Sequence, residues 1–365
     1  MTNVTTLSGE LLIFDEYSYH VVHVGYVDGT AVLDGFTITK GRAMGTSVNY
    51  GGGMDIAGGS PTLINLTFTG NEAVYGGGMY IQGGSPTLTN LTFTGNEAAY
   101  GGGIYITGGS PTLTNLTFTG NVASSGGGGI YNENSSGSLN NVSFSDNSAR
   151  DGGGMYNRNG SNPTLTNVTF SGNTATGYEY MLDSGGGGML NYESSPTLSN
   201  VTFSGNSTTY ALGGGMLNYK SSPTLTNVTF SGNTTPYYGG GIYNTLSQPI
   251  MINSIMWGDE PDEINNESSI PIVNYSVIQG GYTGTGIIVT DPRLGLLADN
   301  GGFTQTHALG AGSSAIDIGN PGFCPPTDQR GVARPVDGNG DGDPICDMGA
   351  YEYVPYYSYL PLIVK

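Results

Sequence analysis

Within the segment DGNGDGDPICD, side-chain oxygens fall at alternate positions, Asp337, Asn339, Asp341 and Asp343, with Gly342 at a sharp bend. Calcium takes about six to eight oxygen ligands, and a loop with donors at every second residue is one way a short peptide wraps it. Asp347 is a further donor, while Met348 stands where a bidentate Glu would complete such a loop, which lowers the expected affinity. The competing reading is a plain acidic turn tied down by Cys346. A second pattern is a column of tyrosines, Tyr80, Tyr105, Tyr131, Tyr156 and Tyr243, interrupted by Leu190 and Leu217. Each follows a Met or Ile; if that residue points inward, the tyrosine points out. Such a stripe either stabilises a sheet by cross-strand contact or stacks on sugar rings or a partner protein.

Residues for covalent or acid–base chemistry are scarce. Between 45 and 250 the cations are Arg150, Arg158 and Lys220, and the carboxylates Glu72, Glu97, Asp146, Asp151, Glu179 and Asp183 are scattered by register. A polysaccharide lyase needs cations and a base around an acidic sugar, and a hydrolase needs paired carboxylates on one face. His20, His23 and His307 form no Ser-His-Asp pattern. Enzymatic activity is therefore the secondary expectation. Cys324 and Cys346 suit one disulfide in an oxidising compartment; two buried free thiols are the alternative.

These residues sit on a repeat. SPTLINLTFTGN at 60–71 aligns with SPTLTNLTFTGN at 85–96 and 110–121, so Asn65, Asn90 and Asn115 are 25 apart, and the pattern continues through Asn141, Asn167, Asn200, Asn227 and Asn253 with a shorter step to Asn274. Each unit is short and rich in Thr, Val and Phe, so it reads as two or three brief strands that bury their apolar face only by stacking. One core column runs from Leu33 and Leu63 to Leu225, Met251 and Ile272; another runs from Ile38 and Phe68 to Phe230, Met256 and Val277. The expected fold is all-β, a right-handed parallel β-helix (a pectin-lyase-like solenoid) of about ten coils, roughly 48 Å long. A small β-rich C-terminal module closes it. The divisions are 1–30 as a cap or incomplete coil, 31–282 as the β-helix, and 283–365 as the module and tail.

The Asn65 column falls where the in-out alternation slips, so it is expected to adopt the left-handed conformation and turn its amides inward as a ladder. Its N-x-T sequons, such as those of Asn65 and Asn167, are then accidents of the repeat. A second column, Asn71, Asn96, Asn121, Asn147, Asn173, Asn206 and Asn233, marks another turn. The glycine blocks after it permit close approach between coils, or open a shallow trench for a ligand. From Asn167 to Asn200 the step lengthens to 33, so TATGYEYMLDS at 174–184 bulges out. Tyr178, Tyr180 and Asp183 are its candidate contact residues; tolerated length variation is the other reading.

Lys and Arg number 9 against 28 Asp and Glu, a net charge of −19, which excludes an electrostatic footprint for nucleic acid. No apolar run is long enough to span a membrane as a helix. MTNVTTLSGE has neither the basic nor the apolar part of a secretory signal, so an extracellular location calls for a start upstream of Met1.

Over residues 50–245, GGGM or GGGI paired with FTGN or FSGN resembles the GGA[ILV] and FxxN repeats of polymorphic outer membrane proteins, with Gly here in place of Ala. That resemblance implies a surface adhesin with a β-helical passenger. Residues 291–353, with AIDIGN, DQRGVARP and DMGAYE, are similar to the choice-of-anchor Q module of secreted bacterial β-helix proteins, which implies an extracellular or envelope location and envelope attachment. The tail VPYYSYLPLIVK either docks on the module or is a sorting tag. The combined expectation is a surface-displayed or secreted structural or adhesin-like protein that binds a glycan or cell-surface partner without catalysis. The alternative is a carbohydrate-active enzyme, a lyase or hydrolase, on the same scaffold.

Overall fold

Short strands separated by left-handed turns cannot pair with themselves, so they pair coil upon coil. The computed structural model describes residues 5–10, 18–178 and 181–355. It is a right-handed parallel β-helix of about nine turns with three sheets along its length and a two-stranded antiparallel sheet near its C terminus. The largest, 16-stranded sheet carries the LTFT segments, from Thr5–Ser8 to Ile272–Asn274 and Val277–Ile278. The 10-stranded sheet runs from Val22–Val24 to Ile264–Glu267. The 7-stranded sheet runs from Arg42–Ala43 to Ser207–Thr208.

Inward columns follow the two-residue period. Phe68, Phe93, Phe118, Phe144, Phe170, Phe203 and Phe230 are fully buried, and successive rings stack with centroids 4.6 to 4.9 Å apart. That distance is the spacing between paired strands, so the ring column and the backbone ladder share one repeat. Met54, Met79, Ile104, Ile130 and their successors face inward from the opposite sheet. The last coil slips by one residue from the expected columns. Val273 pairs with Met251 and Ile278 with Met256, leaving Ile272 52% exposed, and Tyr275 at φ +46° takes the place assigned to Asn274.

The two asparagine columns exchange the roles expected of them. Asn65 through Asn253 do adopt positive φ, from 52° to 58°, and from Asn90 to Asn200 each amide donates to the one in the preceding coil, as Asn90 does to Asn65 at 3.1 Å, while Asn227 and Asn253 donate to backbone carbonyls of the C-terminal segment. Yet Asn65 and Asn90 are exposed and Asn115, Asn141 and Asn167 half-buried, because the left-handed residue sits on the outside of the bend. Inaccessibility therefore gives no reason to dismiss the sequons of these five, whereas Asn200, Asn227 and Asn253 are buried against residues 320–349. The buried ladder is the second column, whose members from Asn71 to Asn233 are at most 1% exposed. Each of its carboxamide oxygens accepts from the backbone N–H and the side chain of the Asn in the preceding coil, as Asn147 does from Asn121 at 3.0 and 2.9 Å.

The glycine blocks are buried between coils, so they open no trench. A Cβ on Gly103 would lie 2.5 Å from the Gly129 carbonyl oxygen and 2.8 Å from the Phe118 ring. The sequence demands Gly there because the next coil's backbone occupies the side-chain space.

The C-terminal segment folds back along the outer face of the largest sheet. The amide of Gln329 spans Thr169 and Thr202, bonding both hydroxyls at 2.7 Å. Asn200 and Asn227 donate to the carbonyls of Thr327 and Asp347. Ile255 and Val277 of the helix join Leu309, Ile316 and Met348 in a shared apolar cluster. The motif residues Asp328, Arg330, Arg334, Asp347 and Glu352 form an ionic centre under this segment, with Asp328 bridging Arg330 at 2.7 Å. Cys324 and Cys346 are disulfide-bonded, their Cα atoms 6.2 Å apart. No helix among the described residues is long and apolar enough to cross a membrane.

Candidate functional site

The tyrosine stripe does point away from the main core, but it is not a free outer face. Tyr80, Tyr105, Tyr131, Tyr156 and Tyr243 are only 2 to 8% exposed and form a second core with Leu190 and Leu217. The strands before the glycine blocks cover them. Tyr75 packs its edge on Tyr105 at 5.3 Å and Tyr100 on Tyr131 at 5.4 Å. Burial raises the Tyr80 phenol to about 12 and pushes Tyr105, Tyr131 and Tyr156 up as well, so these hydroxyls stay neutral.

Accessible tyrosines stand beside this stripe on the loops that replace the 7-stranded sheet where it ends. Gly177 turns the first loop at φ +59°. Ser184 closes it, accepting from the Tyr178 backbone at 3.0 Å and donating to Asp151 at 2.6 Å. Arg150 pairs with Asp151 and lies over the Tyr178 ring at 5.0 Å. The next two coils add Tyr210 and Tyr238, held by turns in which Thr208 and Thr235 both donate to the Ala211 carbonyl. Tyr178, Tyr210 and Tyr238 are 49 to 56% exposed, as are Met181 and Leu182 at about half. Tyr180 lies outside the described residues, as do 356–365 of the tail.

Together the loops enclose a cavity of about 580 Å³ floored by Leu212 and Tyr243 and edged by Asn265 and Glu267. A second concavity of about 210 Å³ adjoins it, sharing Tyr178 and Met181 and adding Arg150, Arg158 and Asp183. A third, of about 200 Å³, shares Arg158 and is walled by Tyr75, Tyr100 and Tyr131 beside Glu133. Six coil spacings separate Tyr105 from Asn265, so the trench is roughly 30 Å long. Of this site, Tyr178, Asp183 and the stripe residues Tyr105, Tyr131, Tyr156 and Tyr243 were singled out by sequence. Tyr210, Tyr237 and Tyr238 were missed; the signal was available in the tyrosines flanking the irregular steps after Asn206 and Asn233.

Two of the carboxylates that line the trench are already engaged, while Asp183 and Glu267 line it as well. Glu133 accepts from the Tyr105 hydroxyl and from Asn159, and Asp151 from Ser184 and Arg150. Burial opposes the charge on Arg150, but its bonds to Asp151 and Tyr178 outweigh that and keep it protonated. His23 pairs with Asp55 at 2.9 Å, and His307 is buried between Gly295 and Ser204.

Two acidic groups lie elsewhere. Asp259 ends the buried Asn ladder, its Oδ1 accepting both bonds that another Asn would take from Asn233. Burial and then the neighbouring Glu263 push its carboxyl well up, so this end carries a shared proton. In the C-terminal acidic turn, Asp337 accepts from the backbone of Gly340 and Gly342, Asn339 from Asp341, and Asp341 from Asp343. Asp347 is not part of it, since its carboxylate is buried and accepts from Asp317 and Tyr353. Among the described residues no three His, Cys, Asp or Glu side chains are placed to hold a metal ion.

A family model described as the right handed beta helix region matches residues 19–150 and 85–277. No curated protein matches the chain.

Proposed function

The chain belongs to the right-handed β-helix family, and from that premise we propose that it binds an extended glycan along the tyrosine-lined trench without cleaving it, as a secreted or surface-displayed protein. The observation that carries this reading is the continuity of three concavities through shared residues Arg158, Tyr178 and Met181. Tyrosine offers a flat, amphipathic face with few rotors to freeze, which suits it to the apolar faces of sugar rings. A trench parallel to the helix axis suits a linear chain, and its loops stand on a rigid scaffold that loses little entropy on binding. Non-catalytic binding is favoured because Glu133 and Asp151 are already held by other groups. The disulfide supports an oxidising compartment, and the resemblances to surface-protein repeats and to an anchor module point the same way.

The test is retention of the full chain on plant and bacterial polysaccharides, read together with product release. Retention lost in Tyr210→Ala and Tyr238→Ala, with no new reducing ends, is the expected result. Product release overturns the non-catalytic reading, and retention indifferent to both substitutions overturns the trench.

A further inference from the structure

The chain has few cations and a large negative charge, so where its cations sit is informative. Arg150 and Arg158 are the only Lys or Arg between residues 43 and 219, and both line the middle concavity. Arg150 is committed to Asp151. Arg158 is exposed, with its guanidinium 3.5 Å from the Tyr131 hydroxyl and 5.7 Å from the Tyr192 ring centre, and no ion pair among the described residues includes it. It stands between aromatic walls at the junction of two concavities. A guanidinium fork matches a planar carboxylate with two parallel bonds, and flanking rings strengthen such a bond by excluding water.

Carboxylates flank this position along the trench. Glu133 edges the concavity on one side, Asp183 stands on the rim of the middle one, and Glu267 edges the large cavity beyond. A polymer charged at every unit would set its carboxylates against these. We propose that the middle concavity is an anion subsite in which Arg158 takes the carboxylate of a single acidic sugar, so that the ligand is a heteroglycan with isolated uronate units between neutral ones. This rests on the glycan-binding reading of the trench and specifies its substrate class.

The experiment is calorimetric titration of the full chain and of Arg158→Gln with three probes. These are gellan oligosaccharides, in which glucuronate is spaced by neutral sugars, their carboxyl-reduced form, and fully charged oligogalacturonate. The expected order places gellan oligosaccharides about tenfold tighter than the reduced form, the ratio that one charge-assisted bond supplies, with oligogalacturonate weakest. Arg158→Gln erases that ratio by weakening the charged form more than the reduced form. Equal binding of the charged and reduced forms, preference for oligogalacturonate, or equal loss of both forms in Arg158→Gln overturns the subsite while leaving the trench standing. Absence of binding by all three probes overturns the subsite and counts against the trench as well.

Discussion

Replacing Asn147 by Ala tests which asparagine ladder holds the coils together. In the native chain the Asn147 carboxamide oxygen accepts from the backbone and side chain of Asn121, and its nitrogen donates to the Phe118 carbonyl at 3.0 Å and to Asn173 at 2.9 Å. Truncation leaves the Asn121 N–H and one Asn121 amide proton without partners in a fully buried site and takes from the Phe118 carbonyl one of its donors. At roughly 1–3 kcal/mol per orphaned group, partly relieved by water entering the vacated space, the cost is about 3–5 kcal/mol. Asn141, six residues earlier in the same coil, is the control. It is half-buried and its ladder bonds to Asn115 and Asn167 are replaceable by water, so Asn141→Ala costs only the left-handed strain of its φ of +56°, about 1–2 kcal/mol. Asn141→Gly removes that strain and comes out near neutral. Urea unfolding followed by far-UV circular dichroism measures all three. An Asn147→Ala loss no larger than that of Asn141→Ala would refute the assignment of the inner ladder.

Gly103→Ala forces a Cβ to within 2.5 Å of the next coil's backbone and costs about 3 kcal/mol in thermal or urea unfolding. Gly120→Ala, at φ +62° with open space around it, costs about 1–2 kcal/mol, and equal losses would contradict the packing argument. Removing the Cys324–Cys346 link, which closes a separation of 22 residues, lowers the stability of the C-terminal segment by about 3 kcal/mol. The β-sheet signal in circular dichroism should survive this, and loss of the whole β-helix would contradict it. Burial and then Glu352 raise the Asp347 carboxyl to about 8, so its contribution is complete below the ordinary carboxylate range and is lost as pH rises through about 8. Fluorescence of the single Trp257, which packs on the docked segment, should report docking that weakens from pH 5 to 8 by up to ~1.4 kcal/mol per unit; docking that strengthens over that window contradicts a protonated, buried Asp347.

The repeat made the fold legible because a spacing of about 25 residues and a two-residue strand period leave one way to bury Leu63, Phe68 and their successors. Counting by two back from the buried Ala73 also places Asn71 inside, so the buried ladder was readable from parity, whereas the slip at Asn65 drew the inward assignment to the wrong column. The tyrosine stripe misled for a different reason. Pointing away from one core was equated with facing solvent, although Tyr75 and Tyr100, just before the glycine blocks, are placed to cover it. The last coil failed because its spacing shortens and its left-handed residue is Tyr275, which no Asn rule finds. The trench was legible at Tyr178, Asp183 and the stripe residues Tyr105, Tyr131, Tyr156 and Tyr243, whereas Tyr210, Tyr237 and Tyr238 stand on departures from the repeat, and a departure carries no periodic signal. The return of the C-terminal segment onto Thr169, Thr202 and Asn227 is a contact between residues more than 100 apart, which no local pattern encodes.

The most direct test of the central claim is the dependence of affinity on ligand length. Oligosaccharides cut to increasing length from a glycan that the full chain retains should bind more tightly until they fill the trench of roughly 30 Å, and then level off. Tyr178→Ala should lower the plateau without moving its position. Affinity that is independent of length, or that keeps rising well past the trench, would contradict an extended chain lying along these tyrosines.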